Sequence, residues 1–358
     1  MDASDCHFLN RAEYFRDLAT TISKTKTGDR VLLASMSFEP SEPLVANVMH
    51  ALQAAAQRGV NVYLAIDAYS FLTSENRGQI GPLWPRTRLP KNLREPFRSR
   101  RQSLEALARA GGHYAITNVP RQPFSVIPAG RSHIKTAVVG DRVYVGGCNL
   151  RAPEQFDVMV SWQDRTAADW IFNAMCAVIE QHSTKTALRG VDRGLELDAD
   201  TSLLLDAGTP KQSLILDEAH RLIDSAAESI FFTCQYFPGD ATARHLKAAW
   251  KRGVKVTIVY SHPNAHGRLE APAHHAYGLK ERLHLPGEFF AHRLPKGVPL
   301  LHAKVLVTDK GSMIGSHNYV VQGVNFGTAE LALLCRSSDF AQQLRAFIAG
   351  QLPPSSAI

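Results

Sequence analysis

This sequence has few cysteines, no long apolar run and no low-complexity segment. Its five cysteines are odd in number and irregularly spaced, which excludes a regular disulfide framework and favours a reducing compartment. Every apolar run is far shorter than the ~20 residues that a transmembrane helix needs, and the first residues lack the basic and apolar regions of a signal peptide. We therefore predict a cytoplasmic protein. A peripheral position on the inner face of the membrane is compatible with this prediction.

A set of five residues occurs twice in the chain at identical spacing. In each copy a His is followed by a Lys two positions later, by a Gly thirteen positions later and by an Asn sixteen positions later. At average residue usage this pattern arises at fewer than about one in a million start positions, so its duplication is not accidental. The two sets are His133, Lys135, Gly146, Gly147 and Asn149 in the first half, and His302, Lys304, Gly315, Ser316 and Asn318 in the second.

The residues after each Lys predict two strands joined by a tight turn. Gly140 and Asp141 mark the turn in the first copy, and Lys310 and Gly311 mark it in the second. Because residues i and i+2 of a strand face the same side, the His and Lys of each copy project together. A single exposed His-x-Lys is best read as solvated strand residues, but the duplication favours chemistry: an imidazole beside a fixed ammonium suits phosphate esters.

An acidic residue also repeats downstream of each Asn. Asp157 precedes the apolar run 158–160, and Glu330 precedes the apolar run 331–333. We predict that each carboxylate accepts the Nδ1 proton of the histidine in its own lobe, which leaves Nε2 free to react. The alternative is an ordinary acid at a strand edge, and the repetition makes that alternative less favoured.

The elements that flank the motifs repeat in the same order. In each half an apolar strand, a helix, an Arg-Gly-Val triplet and a second strand follow one another; these are residues 31–37, 45–57, 58–60 and up to 66, then 230–236, 243–250, 252–254 and up to 260. This alternation predicts an α/β fold with two lobes. The polar stretch 183–212 holds the predicted boundary, so we assign residues 1–190 to the first lobe and 191–358 to the second.

The duplicated motif resembles that of the phospholipase D superfamily, His-x-Lys-(x)4-Asp followed by Gly-Ser-x-Asn or Gly-Gly-x-Asn. The second copy, His302 to Asp309, fits fully, whereas the first has Gly140 where the pattern has Asp. In the family that Asp supports structure, so the departure concerns turn geometry. The resemblance covers nearly the whole chain and is greatest to bacterial phosphatidyltransferases of the cardiolipin synthase type. It implies two similar lobes, each a mixed sheet flanked by helices, that form a pseudo-twofold pair with the active site between them.

The resemblance also implies a two-step displacement at a phosphodiester. His133 attacks phosphorus to give a phosphohistidine while His302 protonates the leaving alcohol, and His302 then activates the acceptor. The sequence alone is symmetrical on which histidine is the nucleophile. The phosphoryl oxygens are predicted to be held by Lys135, Lys304, Asn149 and Asn318, with Ser316 as a weaker candidate.

A basic segment sets the first half apart from the second. Residues 59 to 133 span 74 positions, against 49 for 253 to 302, and the excess is placed near residues 69–101. Eight Lys or Arg occur between Arg77 and Arg101 against one acid, Glu95, and they are interleaved with Trp, Leu and Phe. This composition suits an anionic phospholipid surface, could also follow a nucleic-acid backbone, or could belong to a solvated loop. The net charge of +7 agrees with an anionic partner without choosing one.

Three functions remain open from the sequence. The first is a phosphatidyltransferase or phospholipase D, the second is a metal-independent nuclease or nucleic-acid phosphodiesterase, and the third is an inactive lipid-binding scaffold. We predict no cofactor and no metal, because the six histidines between His262 and His292 match no familiar ligand spacing and the Lys pair supplies positive charge. Cys148, inside the motif, is predicted to be a packed thiol and not a nucleophile.

Overall fold

The computed structural model describes residues 5–74, 79–80, 91–118, 130–151, 155–184, 193–235, 237–238, 240–265, 279, 281 and 284–353. Much of the basic segment, part of the predicted boundary region and most of the histidine-rich stretch therefore lie outside the described residues.

Each half of the chain builds one seven-stranded mixed sheet. The first sheet has the strand order β1-β10-β8-β7-β2-β3-β6, and the second has the order β11-β12-β18-β17-β16-β13-β14. The strands of the first half are β1 (His7–Asn10), β2 (Arg30–Ser35), β3 (Asn61–Asp67), β4 (Thr73–Ser74), β5 (Gln79–Ile80), β6 (His113–Thr117), β7 (Thr136–Val139), β8 (Arg142–Gly146), β9 (Gln155–Phe156) and β10 (Val158–Gln163). Those of the second half are β11 (Arg193–Glu196), β12 (Thr201–Ala207), β13 (Ser229–Cys234), β14 (Lys255–Tyr260), β15 (Leu300–Leu301), β16 (Val305–Thr308), β17 (Gly311–Gly315) and β18 (Ala329–Cys335).

Helices cover the sheets in both halves. The first half contains α1 (Arg11–Ser23), α2 (Pro43–Gln57), α3 (Tyr69–Leu72), α4 (Lys91–Arg109) and α5 (Arg165–Thr184). The second half contains α6 (Leu214–Ser225), α7 (Asp240–Lys251), α8 (Val321–Asn325) and α9 (Ser338–Gln351), with 3₁₀ turns at Pro263–Ala265 and Gly287–Phe290. The prediction of two α/β lobes with mixed sheets is confirmed. Among the described residues, none of these helices has the length and apolar character needed to cross a bilayer.

Six strands of each sheet correspond one to one. The order β1-β10-β8-β7-β2-β3 matches β12-β18-β17-β16-β13-β14, with the β2–β3 and β13–β14 pairs parallel. The sheets differ at their edges, where β6 extends the first sheet beyond β3 and β11 extends the second beyond β12. The repeat seen in the sequence is therefore a repeat of topology.

The Arg-Gly-Val triplets have the same local role in both lobes. Gly59 and Gly253 have φ of +83° and +92°, a left-handed conformation that favours glycine and ends the preceding helix. The guanidinium of Arg58 donates to the carbonyls of Ile22, Ser23 and Thr25, and that of Arg252 donates to those of Ile223, Asp224 and Ala226. These carbonyls lie at the ends of α1 and α6, where backbone acceptors have no intrahelical partner.

The apolar core consists of three clusters of buried side chains. One face of the first sheet packs with α1 and α2, and one face of the second sheet packs with α6 and α7. The opposite faces contribute to one shared cluster, in which Leu32 and Val138 of the first lobe join Phe231 and Val305 of the second, together with residues of α5 and α9. Each large side chain buried there contributes roughly 1.5–3 kcal/mol, so the lobes are held together by a continuous apolar core.

Candidate active site between the lobes

The two His-x-Lys segments lie in extended chain immediately before β7 and β16. Their four side chains are buried, with 7% of His133 and 4% of His302 exposed and at most 1% of Lys135 or Lys304. In each copy the ammonium bends back to the carbonyl of its own histidine: Lys135 Nζ donates to His133 O at 2.6 Å, and Lys304 Nζ donates to His302 O. Two buried lysines therefore lie in the same site as two imidazoles, and their charges act on both rings.

Each imidazole is hydrogen-bonded to the acid of the other lobe. His133 Nδ1 lies 2.9 and 3.0 Å from the two carboxylate oxygens of Glu330, and His302 Nδ1 lies 2.7 Å from Asp157 Oδ2. The sequence-based prediction that each carboxylate binds the histidine of its own lobe was therefore wrong. The residue types were right, but the pairs are crossed.

The crossing arises because short backbone segments of the two lobes pair with each other. β15, which leads to His302, pairs in parallel with β9, which leads to Asp157, and His302 N donates to Phe156 O at 2.8 Å. On the other side, His133 N donates to Ala329 O at 2.9 Å, next to Glu330. The backbone at each histidine is thus paired with the residues just before the acid of the other lobe.

The residue that follows the motif glycine differs between the lobes, and the length of the acid beside it differs as well. The Ser316 hydroxyl donates to Glu330 Oε2 and accepts the Leu331 N–H at 3.0 Å. At the corresponding position in the first lobe, a Cβ built on Gly147 would overlap Asp157 Oδ1, so only glycine fits. Ser316 was predicted to bind phosphate; the geometry does not support that role, because its hydroxyl is fully buried against Glu330.

The two motif asparagines are held differently. Asn149 Oδ1 lies 3.3 Å from the Ser35 hydroxyl and 3.2 Å from the Ser37 N–H, so its oxygen faces the protein and its amide nitrogen can donate to an anion. Asn318 Oδ1 is buried and has no hydrogen-bond partner among the residues that the structure describes. Ser35 and Ser37 are not part of the sequence repeat, because the aligned positions of the second half hold a cysteine and a tyrosine.

Burial and the crossed carboxylates set the protonation of the histidines. Burial lowers the pKa of His133 to about 4 against the raising effect of Glu330, and burial with the Lys304 charge lowers the pKa of His302 to about 3. Although burial raises it, contact with His133 brings the pKa of Glu330 down to about 2, and His302 likewise lowers the pKa of Asp157. Near neutral pH both imidazoles are neutral and both acids are ionised. Each ring then donates its Nδ1 proton and keeps Nε2 free.

Both buried lysines have a pKa well below that of an exposed lysine. Burial lowers the pKa of Lys135 to about 8 and that of Lys304 to about 7. The carboxylates of Glu330 and Asp157 act in the opposite direction on both, and Lys135 itself lowers the pKa of Lys304. Groups from the two lobes therefore share one electrostatic environment, as expected for a single site.

A third buried carboxylate adjoins the first His-x-Lys segment. Asp67, at the end of β3, accepts the Ser132 N–H at 2.8 Å, one residue before His133. It is 1% exposed, and its charge acts on Lys135. Sequence reasoning missed it; the available signal was an acid closing the apolar strand 61–67.

Three further predictions concern residues around the motifs. Asp309 accepts the N–H groups of Ala227 and Glu228 at 3.1 Å each, so it anchors a turn, in line with the structural role that the resemblance implies. Cys148 is 3% exposed and burial raises its thiol pKa well above the usual value, which fits a packed thiol. Within the described part of the chain, no group of three or more His, Cys, Asp or Glu side chains could hold a metal ion.

One arginine of the basic segment is buried and makes its contacts within the protein. Arg100 is buried, forms an ion pair with Glu39 at 2.7 Å and donates to the carbonyl of Ser70. It ties α4 to the loop after β2 and cannot face a ligand. Arg98 and Arg101, on the same helix, are exposed.

Known proteins resemble this chain both in a sequence family and in fold. Residues 220–350 match the family described as cardiolipin synthase, phospholipase D-like domain. The structure of phosphatidylserine synthase from Haemophilus influenzae Rd KW20 superimposes with a TM-score of 0.70 at 14% identity, covering 98% of this chain and 86% of that one. Polyphosphate kinase from Porphyromonas gingivalis gives 0.57 at 12% identity, covering 96% of this chain and 50% of that one. No curated protein sequence matches.

The two kinds of similarity cover different parts of the chain. Residues 220–350, within the second lobe, are similar to the phospholipase D-like domain of the matched family, and the two-lobed fold is shared with phosphatidylserine synthase.

Proposed function

We propose that the protein is a phosphatidyltransferase, similar to cardiolipin synthases, with phospholipase D hydrolysis as its near alternative. The observation that carries the proposal is the crossed arrangement: two neutral imidazoles, each oriented by an ionised acid of the other lobe, beside two buried lysines. A nucleophile, a proton donor and fixed positive charge are what displacement at a phosphodiester requires.

The first step forms a covalent intermediate. His133 Nε2 attacks phosphorus and the bond to the leaving alcohol breaks, while Glu330 stabilises the positive charge that develops on the ring. The assignment of His133 as nucleophile follows the family resemblance. Lys135, Lys304, Asn149 and Asn318 hold the non-bridging oxygens, with the Asn149 amide already oriented by Ser35 and Ser37.

His302 supplies the proton for the leaving alcohol. Its pKa of about 3 is that of the ligand-free site, where the Lys304 ammonium opposes a second positive charge. A phosphodiester anion beside Lys304 offsets that charge, so substrate binding raises the pKa of His302 and favours the imidazolium. In the second step His302 removes the proton of the acceptor, which then attacks phosphorus and releases His133. Water as acceptor gives hydrolysis, and an alcohol gives transfer.

Phospholipid is favoured as substrate by the family matched over residues 220–350 and by the phosphatidylserine synthase that shares the fold. The net charge of +7 and the exposed Arg98 and Arg101 of α4 suit the surface of an anionic membrane. Nucleic acid has the same phosphodiester chemistry and is the second candidate substrate, supported by the same basic charge.

The test is an assay of products with purified protein. Vesicles of phosphatidylglycerol should yield cardiolipin and glycerol, whereas phosphatidic acid would indicate hydrolysis. Single-stranded DNA is assayed in parallel, and its cleavage with unchanged lipid would replace the proposal by the nuclease alternative. His50→Ala, on the exposed face of α2, is the matched control for histidine variants of the site.

A further inference from the structure

We propose that Asp67 is a positioning residue that makes the two halves of the site unequal: it fixes the backbone that carries His133 and adds a third carboxylate beside Lys135. This inference rests on the proposed function for its catalytic meaning, since it concerns the charge that Lys135 presents to a phosphoryl oxygen. It does not depend on which phosphodiester is the substrate.

The contacts of Asp67 are those of an ionised carboxylate. Its Oδ1 accepts the Tyr69 N–H at 2.8 Å, and its Oδ2 accepts the Asn118 amide at 2.6 Å and the Ser132 N–H at 2.8 Å. All three partners are N–H donors, and a carboxylate that only accepts hydrogen bonds satisfies them without a proton of its own. Burial raises the pKa of Asp67, and the hydrogen bonds from Tyr69, Asn118 and Ser132, with the charge of Arg131, oppose that rise.

The second lobe has the same anchor without the charge. Ser261, directly after β14, accepts the Leu301 N–H at 2.7 Å, and Leu301 precedes His302 as Ser132 precedes His133. The position thus serves in both lobes to fix the chain that leads into the His-x-Lys segment. A buried carboxylate occupies it in one lobe and a neutral hydroxyl in the other, so only the first half of the site receives the extra negative charge.

The charged groups around the two lysines differ in two respects: Asp67 acts on Lys135 alone, and the charge of Lys135 lowers the pKa of Lys304. Lys135 faces Glu330, Asp157, Asp67 and the Cys148 thiol, and Lys304 faces Asp157, Lys135, Glu330 and the same thiol. Burial lowers the pKa of Lys135 to about 8 and that of Lys304 to about 7, and Asp67 is among the groups that raise only the former. Asp67 therefore favours the ammonium form of Lys135, whereas the neutral Ser261 hydroxyl occupies the corresponding position in the second lobe.

The direct test is titration of the lysines by NMR of protein labelled with ¹³C at lysine Cε, with Lys135→Arg and Lys304→Arg used to assign the signals. Removing the negative charge in Asp67→Asn or Asp67→Ser disfavours the ammonium, so the Lys135 midpoint should fall by about one pH unit or more. Asp67→Ser also recreates the hydroxyl anchor of the second lobe. Asp309→Asn removes a remote carboxylate and should leave the midpoint unchanged.

The reverse change, Ser261→Asp, provides a second test should the Asp67 variants fold poorly. It should raise the Lys304 midpoint by a similar amount. Unchanged Lys135 and Lys304 midpoints across these folded variants would overturn the inference. Where turnover is measurable, the alkaline limb of kcat/KM should move to lower pH in Asp67→Asn; a merely structural residue would lower kcat/KM without moving that limb.

The two readouts separate this inference from the proposed function. NMR titration needs no substrate, so it decides the role of Asp67 even if wild-type protein converts neither phosphatidylglycerol nor DNA. Conversely, phosphatidylglycerol turnover by the wild type, together with a Lys135 midpoint that stays unchanged in the Asp67 variants, would support the proposed function. That result would contradict the role inferred for Asp67.

Discussion

The two halves of the site share their reacting groups but differ in the residues that support them. In the first lobe the short acid Asp157 occupies the space beside Gly147, and in the second the longer Glu330 is held by the Ser316 hydroxyl. The side chain after the motif glycine and the length of the acid therefore change together. Different contacts therefore position the acid in each lobe, although both acids are hydrogen-bonded to the histidine of the other lobe.

The asparagines and the anchors before the histidines follow the same trend. Asn149 is oriented by Ser35 and Ser37, whereas the oxygen of Asn318 is left without a partner among the described residues. The first half is thus the more firmly preorganised around a bound anion. Such an imbalance suits a reaction in which one histidine carries the phosphoryl group and the other only moves protons.

The strongest test of the comparison is removal of each imidazole. His133→Ala and His302→Ala should each lower turnover by roughly 10⁴-fold or more, because a covalent step and a proton transfer cannot replace one another. The two variants should differ in one respect: only a His302 variant should accumulate phosphohistidine, detected by mass spectrometry after an acid-free quench. A near-normal rate in either variant would contradict the mechanism.

The next test concerns the crossed acids. Glu330→Gln and Asp157→Asn should each reduce turnover by about 10²–10⁴-fold, since the ring loses the carboxylate that fixes its tautomer. The crossing predicts which ring is affected: removing the negative charge of Glu330 should lower the pKa of His133, and Asp157→Asn should act on His302. Histidine NMR titrations measure both, and a shift confined to the histidine of the same lobe would refute the crossed pairs.

Much of the fold, and the set of histidines and lysines that the structure brings together, could be predicted because both are encoded locally. The strands before and after each motif, the helix stops at Gly59 and Gly253, and the alternation of sheet and helix all follow from short-range patterns. Duplication supplied the statistical weight that a lone His-x-Lys lacks. The topological order of both sheets agrees with these repeated segments.

The partners of the reacting groups could not be predicted because they depend on contacts between distant segments. His133 and Glu330 are 197 positions apart, and their pairing depends on backbone hydrogen bonds between the lobes that have no sequence motif. Asp67 acts through the N–H of Ser132, a contact that no side-chain pattern reveals. Ser316 looked like a phosphate ligand because the sequence does not show that Glu330 takes its hydroxyl.

A smaller effect should follow from changing the residue beside each acid. Gly147→Ala places a Cβ on Asp157 and should destabilise the protein by about 1–3 kcal/mol through overpacking, and Ser316→Ala should cost a similar amount by removing a hydrogen bond to a charged group. Thermal unfolding measures both changes. The comparison is sharpened by histidine NMR, in which Gly147→Ala should perturb His302 and Ser316→Ala should perturb His133. The reverse assignment would mean that the acids act within their own lobes.

The smallest effect is expected where the lobes are most alike. Arg58→Ala and Arg252→Ala should each lower the free energy of unfolding by about 0.5–1.5 kcal/mol, because each guanidinium satisfies carbonyls at a helix end that water can partly replace. Turnover should stay near that of the wild type, and Lys24→Ala, an exposed neighbour of the first of these helix ends, is the control. Denaturant unfolding should give nearly equal losses for the two arginines. A large difference between them would show that the lobes diverge in their scaffolds as well as around the acids, since these two capping contacts are the part of the repeat least affected by the site.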